Sequence, residues 1–286
     1  MTVDPNMAEN DVPGRHRQFL IDELALVTKV GSSDVWQWLS LGWADFRACW
    51  RVSAVYAGLF VAVGLMISFG FYFWGLPYLI LPSLSGFLLV GPALAVGFYE
   101  ISRRKAKGEH IDLIAAFKGF RRNSLGIMGL GVFLVFLFQV WIRISFTVAG
   151  LSFRGVSPEW SAIIHRALTT WDGVYFAVGI TAVGAVFATF VFFIGAFSIP
   201  LMVDRKTVLI PSMMVSAHAV FTNKSAMILW AIVIVLVMGV GLFTAFIGLI
   251  WAFPLIGHAT WHAYKHVLSG TMPGNAPAPP ARSPPG

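Results

Sequence analysis

Six apolar stretches, each close to the length that crosses a bilayer, fill most of the chain between Val52 and Tyr264. A spanning helix takes roughly 20 residues, because each residue rises about 1.5 Å against a hydrocarbon core about 30 Å thick. The stretches are Val52–Trp74, Leu79–Ile101, Leu125–Ala149, Val174–Met202, Ala226–Leu242 and Phe243–Tyr264. With 57% hydrophobic and only 12% charged residues, the expected fold is all-α. It is a polytopic membrane helix bundle of six transmembrane helices in three hairpins, joined by short amphipathic interfacial helices. The last two stretches are contiguous and together exceed any bilayer. The chain must therefore fold back, and the glycines at Gly239–Gly241 mark the expected place.

Charge placement sets the expected orientation. With the N-terminus in the cytoplasm, 17 of the 20 lysines and arginines fall in cytoplasmic segments. Only Arg143, Arg154 and Arg166 fall elsewhere. Such a bias follows the positive-inside rule, and an even number of spans returns the C-terminus to the cytoplasm. The expected location is thus a bacterial inner membrane, crossed several times, with both termini cytoplasmic. The net charge of +7 then reads as an orientation signal and as a contact for anionic lipid headgroups on that side. No segment has the pattern of a nucleic-acid module. Cys49 is the only cysteine, which excludes a disulfide framework and a thiolate metal cluster.

Residues 1–32 read as a mobile polar N-terminus, 33–268 as one six-span membrane domain, and 269–286 as a disordered Pro/Ala-rich tail. Helically spaced apolar stripes precede the odd-numbered spans. They are Val35, Leu39, Gly42, Phe46 and Trp50; Leu113, Ala116, Phe117 and Phe120; and Ile210, Met213, Met214, Ala217, Val220 and Phe221. Each is expected to lie in the cytoplasmic interface with its apolar face toward the bilayer. A fourth stripe, Trp160, Ile163, Ile164, Ala167 and Trp171, is expected on the outer side, capped by Ser157 and Pro158. A threefold unit emerges: interfacial helix, span out, span back. The returning spans overlay with Gly91, Gly195 and Gly257 in register, and nine residues later come Glu100, Asp204 and His266.

Few residues offer chemistry. Glu100 and Asp204 stand at the ends of their spans, where the helix dipole disfavours a carboxylate. Arg103 and Arg104, and Arg205 and Lys206, are the adjacent cations. Two readings stay open, salt bridges that fix helix ends or a proton or cation site. His258, His262 and His266 recur at i, i+4, i+8 and so share one helical face. That spacing suits a metal or haem ligand pair, His258 and His262. The alternative is one packed histidine and two interfacial ones. Gln139, Arg143 and Thr147 form a polar stripe in the third span, with Arg143 snorkelling outward or pairing with Asp172. There is no phosphate-binding loop, nucleophile elbow, dinucleotide fingerprint or pair of catalytic acids. No catalytic residue and no cofactor is therefore assigned.

Three strings carry a resemblance: Gly91-Pro-Ala-Leu-Ala-Val-Gly-Phe-Tyr-Glu-Ile-Ser-Arg-Arg104, Ser198-Ile-Pro-Leu-Met-Val-Asp-Arg205 and Pro254-Leu-Ile-Gly-His-Ala-Thr-Trp-His-Ala-Tyr-Lys265. Across roughly residues 35–268 the chain resembles a bacterial family of multi-spanning membrane proteins, a domain of unknown function. Some of its members are labelled as cytochrome c oxidase subunits. The resemblance implies a polytopic helical fold and no agreed catalytic residues. If the oxidase label holds, it implies an accessory partner, since the catalytic subunit of such an oxidase needs histidines on several helices. Three functions follow as expectations: a non-enzymatic accessory or scaffold of a membrane complex, possessing a membrane protein partner; a small-solute transporter or channel; and a metal- or haem-binding redox component.

Overall fold

The computed structural model describes residues 20–75, 80–152, 165 and 169–269. The fourth stripe with its Ser157–Pro158 cap, and the C-terminal tail, lie outside the described residues apart from Trp171 and Ser269. The described residues form helices and no strand. In chain order they are α1 (Asp34–Ala48), α2 (Trp50–Phe73), α3 (Ile80–Leu94), α4 (Val96–Ala106), α5 (Leu113–Arg122), α6 (Ser124–Ser152), α7 (Trp171–Gly195), α8 (Ser198–Arg205), α9 (Leu209–Thr222), α10 (Lys224–Phe243) and α11 (Leu249–Ser269).

Among the described residues, four helical segments are long and apolar enough to cross a membrane: α2, the Ser124–Val148 part of α6, Gly173–Arg205 through α7 and α8, and α10. The other two expected spans differ for local reasons. The second is divided at Ala95 into α3 and α4, three residues past Pro92, which lies inside α3. Tyr56 repairs the break: its hydroxyl donates to the Leu94 carbonyl (3.0 Å) and accepts from the Gly97 amide (3.2 Å). The sixth, α11, carries His258, His262, Lys265 and His266 in its second half, and is less apolar than a lipid-facing helix. The fold-back before it falls at residues 244–248, not at Gly239–Gly241. Thr244 closes that turn, its Oγ1 accepting from Gly248 N (2.8 Å) and donating to the Gly241 carbonyl (2.9 Å). Gly241 serves packing instead: a Cβ there would lie 2.7 Å from the Leu249 side chain.

The helices follow one another in three sets, each a short helix and then longer ones: α1, α2 and α3–α4; α5, α6 and α7–α8; α9, α10 and α11. Each short helix packs on the returning helix of the set before it. So α5 lies on α4, α9 on α7 and α8, and α1 on α11, which closes the bundle on itself. Small residues make these approaches close. A Cβ on Gly42 would lie 2.6 Å from Ala259 N, and one on Gly119 would lie 3.0 Å from Val96 and Glu100. At the third contact, the Ser216 hydroxyl accepts from Phe197 N (3.0 Å) and donates to the Phe193 carbonyl (2.9 Å).

These contacts change the role of the amphipathic stripes. Val35, Trp38, Gly42 and Phe46 of α1 are buried against protein, as are Ser212, Val215, Ser216 and Ala219 of α9. The bulky residues left outside include Trp36, Trp43, Ile114, Phe117, Ile210 and Phe221. The expected single bilayer-facing stripe therefore splits into a protein-facing side and an apolar outer side. The long helices are inside out in the same sense, with Ile67, Phe69, Met128, Val132, Val186, Ile228 and Leu236 exposed on their flanks. The N-terminal segment, read as mobile through residue 32, is tied down from residue 20 onward. Thr28 donates from both its amide (to Val267 O, 2.9 Å) and its hydroxyl (to His266 O, 2.9 Å), and Glu23 is paired with Arg205 (2.6 Å).

Candidate functional site

Polar groups from α4 and α11 converge on Asp45, a carboxylate three residues after Gly42 on the buried face of α1. It is only 6% exposed. Its Oδ2 accepts from the Ser102 hydroxyl of α4 (2.6 Å) and from Nε2–H of His262 on α11 (2.9 Å). Its Oδ1 accepts from Lys105 Nζ (2.7 Å), also on α4. Burial alone would push this carboxyl up. The bond and charge of His262, with the bonds from Lys105 and Ser102, outweigh that and hold it far below the usual carboxylate range.

His258 extends the chain inward. Its Nδ1 lies 2.8 Å from Ser102 Oγ and its Nε2 lies 2.9 Å from Ser53 Oγ on α2. Because the Ser102 proton is committed to Asp45, the network assigns Nδ1–H of His258 as donor to Ser102. The Ser53 hydroxyl is then donor to Nε2. The result is a directional relay, Ser53 to His258 to Ser102 to Asp45, in which His258 is neutral and doubly bonded. A layer of rings lies beyond it: Phe98 stacks edge-on against His258 (5.5 Å between centroids), Tyr56 and Phe253 meet Phe98 edge to face, and Phe60 meets both of those in turn. Polar contacts open on the side of Lys105, whose side chain is 35% exposed.

The other expected residues are placed as follows. Glu100 is fully buried, not half-exposed at a helix end. It takes two bonds from Arg103 (2.8 and 2.9 Å) and one from Arg104 (2.7 Å), with Arg122 of α5 at 3.8 Å. Arg103 also binds Glu109 (3.0 Å). Asp204 accepts from the Tyr264 hydroxyl (2.8 Å) and from Lys265 (3.2 Å), so it ties α8 to α11. Arg205, its expected neighbour cation, turns instead to Glu23. His266 Nδ1 accepts from Trp38 Nε1 (3.2 Å). Arg143 and Gln139 are exposed on the flank of α6, and Thr147 bonds back to the Arg143 carbonyl (2.9 Å). The Asp172 side chain lies outside the described residues.

All three histidines of the i, i+4, i+8 set face α1 and its neighbours. Both ring nitrogens of His258 and Nε2 of His262 are engaged by Ser53, Ser102 and Asp45. Among the described residues, only Nδ1 of His262 is a buried side-chain nitrogen without a partner. Among the described residues, no group of three or more His, Cys, Asp or Glu side chains is arranged to hold a metal ion. Asp45, Ser53, Ser102 and Lys105 were not singled out from the sequence. The one signal for Asp45 is a carboxylate lying on the apolar stripe of an amphipathic helix.

Residues 79–204 match the family model DUF2189, described as a predicted integral membrane protein. The DUF2189 region takes in α3 through α8, hence Glu100, Ser102, Arg103 and Asp204. Asp45, His258 and His262 lie outside it. No curated protein and no solved structure matches the chain significantly. The chain is thus an integral membrane protein, with its four long apolar helices and the match over residues 79–204 in agreement.

Proposed function

We propose that this chain is a six-span protein of a bacterial inner membrane that serves as a non-enzymatic accessory or scaffold of a membrane complex, such as a respiratory one. In this reading α2, α3–α4, α6, α7–α8, α10 and α11 cross in three hairpins. Both termini and the short helices α1, α5 and α9 sit on the cytoplasmic side, in contact with anionic headgroups. The basic residue bias and the clustering of Arg103, Arg104, Arg122, Arg205 and Lys265 at one end of the bundle support that orientation.

One observation carries the accessory reading: the polar network opens at Lys105 and is closed inward by the Tyr56, Phe60, Phe98 and Phe253 rings. A conducting path needs polar groups on both sides of its centre. The network fastens α1, α2, α4 and α11 to one another, which suits a rigid body presenting its apolar flanks. The test is twofold. Full-length protein isolated in mild detergent at native level is expected to carry a defined membrane complex in fixed stoichiometry. Proteoliposomes of the pure protein are expected to show no proton or solute flux above empty vesicles. Flux that disappears in Asp45→Asn would replace this reading with the transporter.

A further inference from the structure

A second polar feature lies away from Asp45, where α9 meets α10. A cavity of about 400 Å³ is lined by Lys29, Val30, Phe221, Thr222, Asn223, Lys224 and Ser225. It holds two ammonium groups and two hydroxyls, and no carboxylate lines it. Asn223 is spent on the N-terminal strap: its Oδ1 accepts from Val30 N (2.8 Å) and its Nδ2 donates to Thr28 O (3.0 Å). It therefore holds Lys29 beside Lys224 and leaves the first turn of α10 without a side-chain cap. Lys224 Nζ stands 4.0 Å over the Phe221 ring, which fixes the charge at the mouth of the cavity.

What extends from the cavity decides the class of occupant. Lys224 is the first residue of a spanning helix, so the cavity sits at headgroup depth. Ile228, Ile232, Leu236 and Val240 follow it at four-residue spacing and are all exposed. A polar cavity roomy enough for a phosphodiester headgroup thus continues into an apolar strip along α10. We propose that this is a binding site for an anionic glycerophospholipid, its phosphate between Lys29 and Lys224 with Thr222 and Ser225 as hydroxyl donors, and one acyl chain laid along the α10 strip. The inference deepens the headgroup contact proposed above, yet it needs only that α10 spans the bilayer. Its failure would leave the flux and co-purification results untouched.

The test is native mass spectrometry of the full chain released from micelles holding equal phosphatidylglycerol and phosphatidylcholine. One phosphatidylglycerol is expected to stay bound in preference to phosphatidylcholine. Removing two lysines near a headgroup (K29Q/K224Q) should weaken it about 30-fold, and each single variant about fivefold. The singles decide if the double variant fails to fold. K107Q/K118Q removes the same charge elsewhere and should leave retention unchanged. Equal retention of the two lipids overturns the proposal, and so does equal loss in both double variants, which would mean diffuse attraction. Displacement by millimolar inorganic phosphate, or equal binding of dihexanoyl and dioleoyl phosphatidylglycerol, would make this a free-phosphate site and overturn it as well.

Discussion

Replacing Asp45 by Asn tests the central network most directly. The carboxylate is buried and accepts from Ser102, His262 and Lys105. Hydrogen bonds to a charged acceptor are worth about 1.5–3 kcal/mol each. Asn keeps the shape and one acceptor oxygen, so one of the Ser102 and His262 bonds survives in weaker, neutral form and the other is lost. Lys105 contributes less than about 1 kcal/mol, since its exposed ammonium can turn to water or headgroups. The sum is a loss of about 3 kcal/mol, on the order of 100-fold in the unfolding equilibrium. The assay is reversible unfolding in mixed micelles followed by helical circular dichroism. A pH arm sharpens it. The folded carboxyl is held far below its unfolded value, so its contribution is present above about pH 4 and fades as pH falls below that. Wild-type stability should therefore drop between pH 5 and lower pH more steeply than that of Asp45→Asn. A variant within about 1 kcal/mol of wild type, or with the same acid slope, would refute the network as described.

Four further outcomes are expected. Glu100→Gln should cost about 3 kcal/mol by the same unfolding assay, not the roughly 1 kcal/mol of an exposed pair, because buried Arg103 then keeps only the half-exposed Glu109 as a charged partner. Gly42→Ala should cost about 1–3 kcal/mol, since its Cβ would meet the Ala259 backbone at 2.6 Å and push α1 off α11; a neutral result would mean that the two helices are not in contact. Arg143→Gln should stay within about 0.5 kcal/mol, given its exposed place on α6, and a larger loss would point to a partner for the guanidinium. Reporter fusions should place Arg154 outside and Gly270 inside the cell, and the reverse at either site would overturn the proposed topology.

The sequence by itself determined what depends on local runs of residues. The length of the apolar stretches, the short helices before them, and the clustering of lysine and arginine are all properties of windows under 30 residues. They were sufficient for an integral, all-helical membrane protein. The helix break at Ala95 was not legible, because the Tyr56 hydroxyl that takes up the Leu94 carbonyl and the Gly97 amide there comes from another helix. The turn at Thr244–Gly248 was displaced from the glycines because Gly241 is needed for close packing, a demand made by Leu249 across the hairpin. The site itself was decided by tertiary structure. Histidine spacing placed His258 and His262 on one face, but it could not say that Asp45, more than 200 residues earlier, lies opposite. That meeting requires α1 of the first unit to dock on α11 of the last, a closure set by Gly42 against Ala259 and by the approach of α4. Periodicity reports which residues share a face; only packing across the closed bundle reports which faces meet.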